Sequence, residues 1–196
     1  MTSVEQIRAI EKEADKSGYS YSDMLTAAGR AAANRALAIL EGIADPKITV
    51  LVGSGNNGGD GLVIAKHLKM KNLTVFTIQS EEDLKKRISS FKKCGLIVDA
   101  LFGVGLSRPI KGWHRKAIEL ALKSKKKVVS VDTPSGLNVN TGHPLDVAMK
   151  AHSTYTIGLL KPGFFLRNGP AHVGRLTVLP IQFPKSVFRS EAKSHF

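Results

Sequence analysis

From residue 48 to residue 132 the chain alternates short β-branched runs with helix-forming stretches. No other feature constrains the fold as much. A helix between two strands supplies the long crossover that parallel pairing needs, and such helices cover the faces of the sheet. The expected strands lie at 48–52, 73–78, 96–101 and 127–132, with two later ones at 153–158 and 175–180. Helices are expected at 61–70, from Ser80 to about Lys93, and near 113–124. Ser80 with Asp83 three residues on resembles a capping box. Two more helices, over residues 4–14 and 20–41, precede the first strand. The fold class read from this pattern is α/β, a mostly parallel central sheet wrapped by helices, with an N-terminal helical extension.

A chain of 196 residues is expected to form one domain. No repeat and no Pro- or Gly-rich linker divides it. Its expected parts are a helical extension (1–45), an α/β body (46–182) and a basic tail (183–196). Cys94 is the sole cysteine, which excludes an internal disulfide and a multi-cysteine zinc site. The six histidines are dispersed without an H-x-x-x-H pair, so zinc chemistry is disfavoured. No apolar run nears the roughly 18 residues of a membrane span. The first 15 residues carry acids and lack the apolar stretch of a signal peptide. A cytoplasmic setting without a membrane partner is the expectation.

Lys and Arg number 29 against 16 Asp and Glu, a formal charge of +13. The excess belongs to the body, because residues 1–45 hold 5 basic and 7 acidic side chains. Such a surface could draw anionic partners or serve solubility. The runs Lys85-Lys86-Arg87 and Lys125-Lys126-Lys127 fall in or just after expected helices, where cations are favoured at the C-terminus. Few aromatics are interleaved with them, so a stacking platform for single-stranded nucleic acid is disfavoured.

In parallel α/β sheets ligands bind beyond the carboxyl ends of the strands. Three consecutive expected strand ends carry polar residues beside glycine. The first runs into Gly53 through Gly61 (GSGNNGGDG). The third carries Asp99 and runs into Gly103 through Pro109. The fourth ends in Asp132-Thr133-Pro134-Ser135-Gly136-Leu137. Gly53, Gly55 and Gly58 satisfy the dinucleotide fingerprint, and Glu81 and Glu82 stand near where a ribose-binding acid would be. An NAD(P)-dependent oxidoreductase is therefore one reading. Asp60 inside the loop would repel a pyrophosphate, and Asn56, Asn57 and Asp60 suit direct contacts to hydroxyl or amide groups. Ser135 stands in T-P-S-G-L, not in a nucleophile elbow. Arg108 could meet a phosphate. Lys161 could do the same, although a solvent-facing position is expected for it. Asn57, Asp99 and Ser135 are hard oxygen donors that could bind a hard cation, whose identity spacing leaves open.

The segments GSGNNGGDGLVIAKHL, VDALFGVGLSRP, VDTPSGLN and TIGLLKPG, in that order, resemble the NAD(P)H-hydrate epimerases, the YjeF N-terminal domain family. Gln6, Arg8, Glu11 and Ala14 resemble its leading helix, and Asp23-Met24-Leu25 through Ala28-Gly29 its next segment. The resemblance implies a Rossmann-like three-layer α/β/α sandwich. It also implies interconversion of the R and S hydrates of NADH and NADPH (NADHX and NADPHX), which carry a hydroxyl at C6 of the nicotinamide ring. A separate dehydratase would then return the S form to NADH or NADPH. By matching positions, Asn56, Asn57, Gly58, Gly59 and Asp60 would hold the substrate. Gly103, Val104, Gly105, Leu106, Ser107, Arg108 and Pro109 would wall its phosphates, and Asp132 would touch the reacting end. Asn57, Asp99 and Ser135 fall where the family binds one potassium ion per subunit; no organic cofactor is implied. A homodimer, through the N-terminal helices, is implied as well.

The chemistry of such a hydrate calls for an acid that protonates the departing hydroxyl and a base for the returning water. Asp132 is the expected residue, with Asp60 second. Many relatives carry a fused dehydratase domain, which does not fit in 196 residues; the expectation is a stand-alone epimerase or a piece of a fused protein. Thr26 and Ala27 stand where relatives carry polar or acidic residues. Some members of this fold family are binding or dimerisation modules for RNA or protein partners. Those tend to lose the polar loop residues, whereas Asn56, Asn57, Asp60, Asp99, Asp132 and Ser135 are all present here.

Overall fold

The computed structural model describes residues 21–179 together with Gln6, Ala9, Ile10 and Glu13, which are helical. Most of the first expected helix and the whole basic tail lie outside the described residues. The elements in chain order are α1 (Tyr21–Ile39), β1 (Lys47–Val52), α2 (Asn56–Met70), β2 (Thr74–Ile78), α3 (Glu81–Lys86), α4 (Ser90–Lys93), β3 (Leu96–Ala100), α5 (Gly112–Ser124), β4 (Lys127–Val131), β5 (Ser153–Ile157), a 3-10 turn (Pro162–Phe164), α6 (Gly169–Val173) and β6 (Arg175–Leu179). All six strands pair in parallel, in the order β2-β1-β3-β4-β5-β6.

The sheet is covered on both faces. Ile48, Val50, Val52, Val98 and Val131 pack on one face with Ala32, Ala33, Ala36 of α1 and Ile64, Leu68 of α2. Leu51, Ile97, Leu101 and Val128 point to the other face, where Leu84, Phe91, Ala117 and Ile118 cover them. This alternation of side chains across the pleat makes three layers, as expected. The central strands β1 and β3 are buried along nearly their whole length, which suits their mostly apolar sequences. Small residues let the helices approach: a Cβ on Gly29 of α1 would stand 2.5 Å from Val63 Cγ1 of α2.

Three differences from the sequence expectations bear on the layout, beyond shifts of a residue or two at other ends. The helix after β1 starts at Asn56, not Gly61, so the polar residues 56–60 form its first turns. The expected helix from Ser80 to Lys93 is two short helices; Ser80 Oγ does cap the first by accepting from Asp83 N at 3.1 Å. Strand β4 stops at Val131, which leaves Asp132 just beyond it.

Candidate active site

Strand β1 pairs with β2 on one side and β3 on the other. The strand order therefore reverses between β1 and β3, and the chain leaves these two strands toward opposite faces. Such a switch point opens a crevice at the carboxyl edge. The loops after β1, β3 and β4 meet there, since these strands are adjacent and parallel.

The first loop is locked by close backbone approach. A Cβ on Gly53 would stand 1.8 Å from Leu101 O, and one on Gly58 would stand 1.8 Å from Gly53 O. Only glycine fits either position. The N–H groups of Gly58 and Gly59 bond back to Gly55 O at 2.9 and 3.3 Å. Asn56 is exposed and Gly59 half-buried at the start of α2. Asn57 and Asp60 lie on its buried face, each 6% exposed. Asn57 Nδ2 donates to Phe102 O at 2.9 Å, which ties the first loop to the second. Its Oδ1 is buried and has no hydrogen-bond partner.

Asp99 is fully buried near the end of β3 and pairs in register with Ser130 of β4. Its Oδ2 accepts from Ser130 Oγ at 2.8 Å and Ser135 N at 2.9 Å; its Oδ1 accepts from Ser135 Oγ at 2.6 Å. Ser135 Oγ in turn accepts from Phe102 N at 3.0 Å. Burial pushes the Asp99 carboxyl up, and the donors from Ser135 and Ser130 offset this only in part. Asn57, Asp99 and Ser135 are thus linked around the backbone of Phe102. Every donor atom in this cluster is a hard oxygen, and Asn57 Oδ1 is an acceptor left without a proton donor. That combination fits a hard cation. Among the described residues no group of three His, Cys, Asp or Glu side chains forms a site for a softer metal.

The second wall, Gly103 through Pro109, is irregular. Val104 packs beside Leu137 and Phe164 and Leu106 against the α5 side of the sheet, while Gly105, Ser107, Arg108 and Pro109 are exposed. Arg108 has no ion-pair partner among the described residues. Gly103 sits where three loops converge: its Cβ would be 3.3 Å from Asn57 Cβ and 3.9 Å from Asp132 Oδ2.

Asp132 has a backbone φ of 63°. Thr133 N donates to Val131 O across it at 2.7 Å, which makes a γ-turn centred on Asp132. With positive φ this turn is rare and strained for a residue with a side chain. Asp132 Oδ1 accepts from Ile157 N at 3.0 Å and from Lys161 Nζ at 2.5 Å. Lys161 is only 1% exposed. The expectation of a solvent-facing Lys161 is corrected here. The turn Pro162–Phe164 folds it inward, where the ammonium finds Asp132 and Thr156 Oγ1 at 2.7 Å. The signal for it was faint: a lone lysine inside the apolar run Leu159 through Phe165.

A family model described as YjeF-related protein N-terminus matches residues 22–95 and 74–163, most of the chain. The chain belongs to the YjeF N-terminal domain family. The NAD(P)H-hydrate epimerase of Limosilactobacillus fermentum is 36% identical over 152 residues, covering 67% of this chain and 73% of that protein. The bifunctional NAD(P)H-hydrate repair enzyme Nnr of Synechocystis sp. is 33% identical over 202 residues, covering 94% of this chain and 38% of that protein. A second bifunctional Nnr, from Thermofilum pendens, is 34% identical, with 40% of its length covered. The chain thus spans about two fifths of the bifunctional relatives it matches. The crystal structure of yeast ynu0, YNL200c, superposes with a TM-score of 0.79 at 23% identity over 97% of this chain and 92% of that one, and shares the fold. The matched YjeF segment contains all three loops of the crevice, from Gly53 through Ser135, and Lys161 as well.

Proposed function

We propose that this chain is an NAD(P)H-hydrate epimerase that interconverts the R and S forms of NADHX and NADPHX. Relatives named for that activity support the reading. The structural observation that carries it is a single one: Asp132 Oδ2 faces Gly103 and Asn57 at the strand edge, while Oδ1 is held from behind.

In the hydrate the ring nitrogen can expel the C6 hydroxyl. The Asp132 carboxylate takes a proton from solvent at Oδ2 and passes it to the hydroxyl as it leaves as water. The carboxylate so formed faces the iminium-like cation and stabilises it electrostatically. Water then adds to the opposite face and its proton returns to solvent through the Asp132 carboxylate, which restores the charge balance. Asp132 is the acid and base in this reading, with Asp60 the second carboxylate within the loops. The exposed start of α2 offers N–H groups to the hydroxyl and amide groups of the substrate, and exposed Arg108 adds a bidentate cation for its phosphates. Asn57, Asp99 and Ser135 would hold potassium, which supplies fixed positive charge beside the Phe102–Gly103 backbone. The bifunctional relatives support a partner dehydratase acting on the S hydrate.

The test is to incubate one purified epimer with the protein in oxygen-18 water and to separate the products. Appearance of the other epimer with label in its C6 hydroxyl is expected. No conversion above the uncatalysed rate would overturn the function; conversion with the original oxygen retained would overturn loss and return of hydroxyl.

A further inference from the structure

Among the described residues no lysine or arginine other than Lys161 is buried. A buried ammonium is costly unless every proton finds an acceptor. The three acceptors here are Asp132 Oδ1 at 2.5 Å, Thr156 Oγ1 at 2.7 Å and Ile157 O at 3.3 Å. All three stand at the carboxyl ends of β4 and β5. Lys161 is itself held firmly: Gly163 N donates to Val139 O at 2.6 Å, and a Cβ on Gly163 would stand 2.5 Å from Asn138 O.

The two oxygens of Asp132 are therefore unequal. Oδ1 takes both Lys161 and Ile157 N. Oδ2 has no hydrogen-bond partner among the described residues and lies toward Gly103. The side chain keeps 15% of its surface in contact with solvent, so Oδ2 is reachable from the crevice. A strained γ-turn persists only where its surroundings over-determine it. The lysine and the β5 amide supply that constraint.

We infer that Lys161 is the positioning residue for Asp132. Its ammonium fixes Oδ1 so that Oδ2 alone meets the reacting end of the substrate, and its charge offsets that of the carboxylate. It acts through Asp132 and does not itself touch the substrate. The inference rests on the epimerase reading.

Single-epimer kinetics of the wild type, Lys161→Met, Asp132→Asn and the double variant test it. A wild type without activity would remove the epimerase reading itself, a result distinct from any failure of the Lys161 assignment. With an active wild type, Lys161→Met should lower kcat roughly 10²-fold, the cost of a misplaced reacting group. KM should stay within about threefold, since ground-state binding is untouched. In the Asp132→Asn background Lys161→Met should lower kcat no further. Ethylammonium should partly restore Lys161→Ala, in a saturable manner. Wild-type kcat in Lys161→Met, a loss confined to KM, or the same fold-loss in both backgrounds would overturn the assignment. If Lys161→Met does not fold, the charge-neutral double variant against Asp132→Asn decides alone, a further loss in kcat again overturning it.

Discussion

Lys161 Nζ lies 2.5 Å from Asp132 Oδ1, although 29 residues separate them along the chain. The pair joins the end of β4 to the turn after β5. It places a cation behind the carboxylate that faces the crevice. Breaking it has consequences for stability as well as for catalysis.

Asp132→Asn removes the charge that compensates the buried ammonium. A cost of about 3–5 kcal/mol is expected, as for breaking other buried pairs from one side. Urea unfolding measures it. The double variant Asp132→Asn/Lys161→Met leaves no unpaired charge and should recover most of that loss while keeping only the residual rate of Asp132→Asn.

The glycines of the first loop should respond unequally to a methyl group. In Gly58→Ala the Cβ meets Gly53 O at 1.8 Å, so backbone must move; a loss of about 2 kcal/mol or more is expected, in the range of overpacking. At Gly55 nothing lies within 4 Å of the Cβ. Gly55→Ala should stay within about 1 kcal/mol of wild type, the spread between glycine and other residues at a helix N-cap. Thermal unfolding of the two variants side by side checks the contrast.

Potassium should stabilise the folded chain, since a ligand bound only by the native state shifts unfolding by mass action. Melting in potassium chloride is expected at a higher temperature than in choline chloride at equal ionic strength. Asn57→Ala removes the orphaned Oδ1 and should abolish the difference. A shift of equal size in Asn57→Ala would place the ion elsewhere.

His114 stacks on Trp113 with ring centroids 3.8 Å apart and lies 4.9 Å from Phe102. Burial holds its pKa below the ordinary 6.5. The folded chain then binds fewer protons than the unfolded chain at pH values between the two. Stability from this site is full above about 6.5 and falls as pH drops toward the folded value. Melting temperatures of wild type and His114→Gln across pH 5 to 8 (roughly the range histidine titrates) should converge toward the acid end. Parallel curves would contradict the sign.

The sheet was legible because its strands are short runs rich in β-branched and apolar residues, and burial of the central ones on both faces demands such runs. The meeting of three polar loops followed from parallel pairing alone. The start of α2 was not legible: Asn56, Asn57, Gly58 and Gly59 are poor helix formers, and the contact of Gly58 with Gly53 overrides their propensity. The break between α3 and α4 falls at Arg87-Ile88-Ser89, where no proline or glycine announces it. Asp99 and Ser135 were read as neighbouring oxygen donors, but their direct bond depends on the loop after β4 folding back on Asp99. Lys161 was least legible, because nothing local marks a lysine before Pro162 as buried; its partner comes from another strand.

The central claim is that this chain moves the C6 hydroxyl between the two faces of the ring. Pure R-NADHX is supplied with an excess of a dehydratase that acts only on the S form, and NADH absorbance is followed. Added in catalytic amount, the protein should drive recovery of NADH to completion, at a rate proportional to its concentration and sharply lowered by Asp132→Asn. Recovery no faster than in its absence, with the R hydrate left behind, would contradict the account.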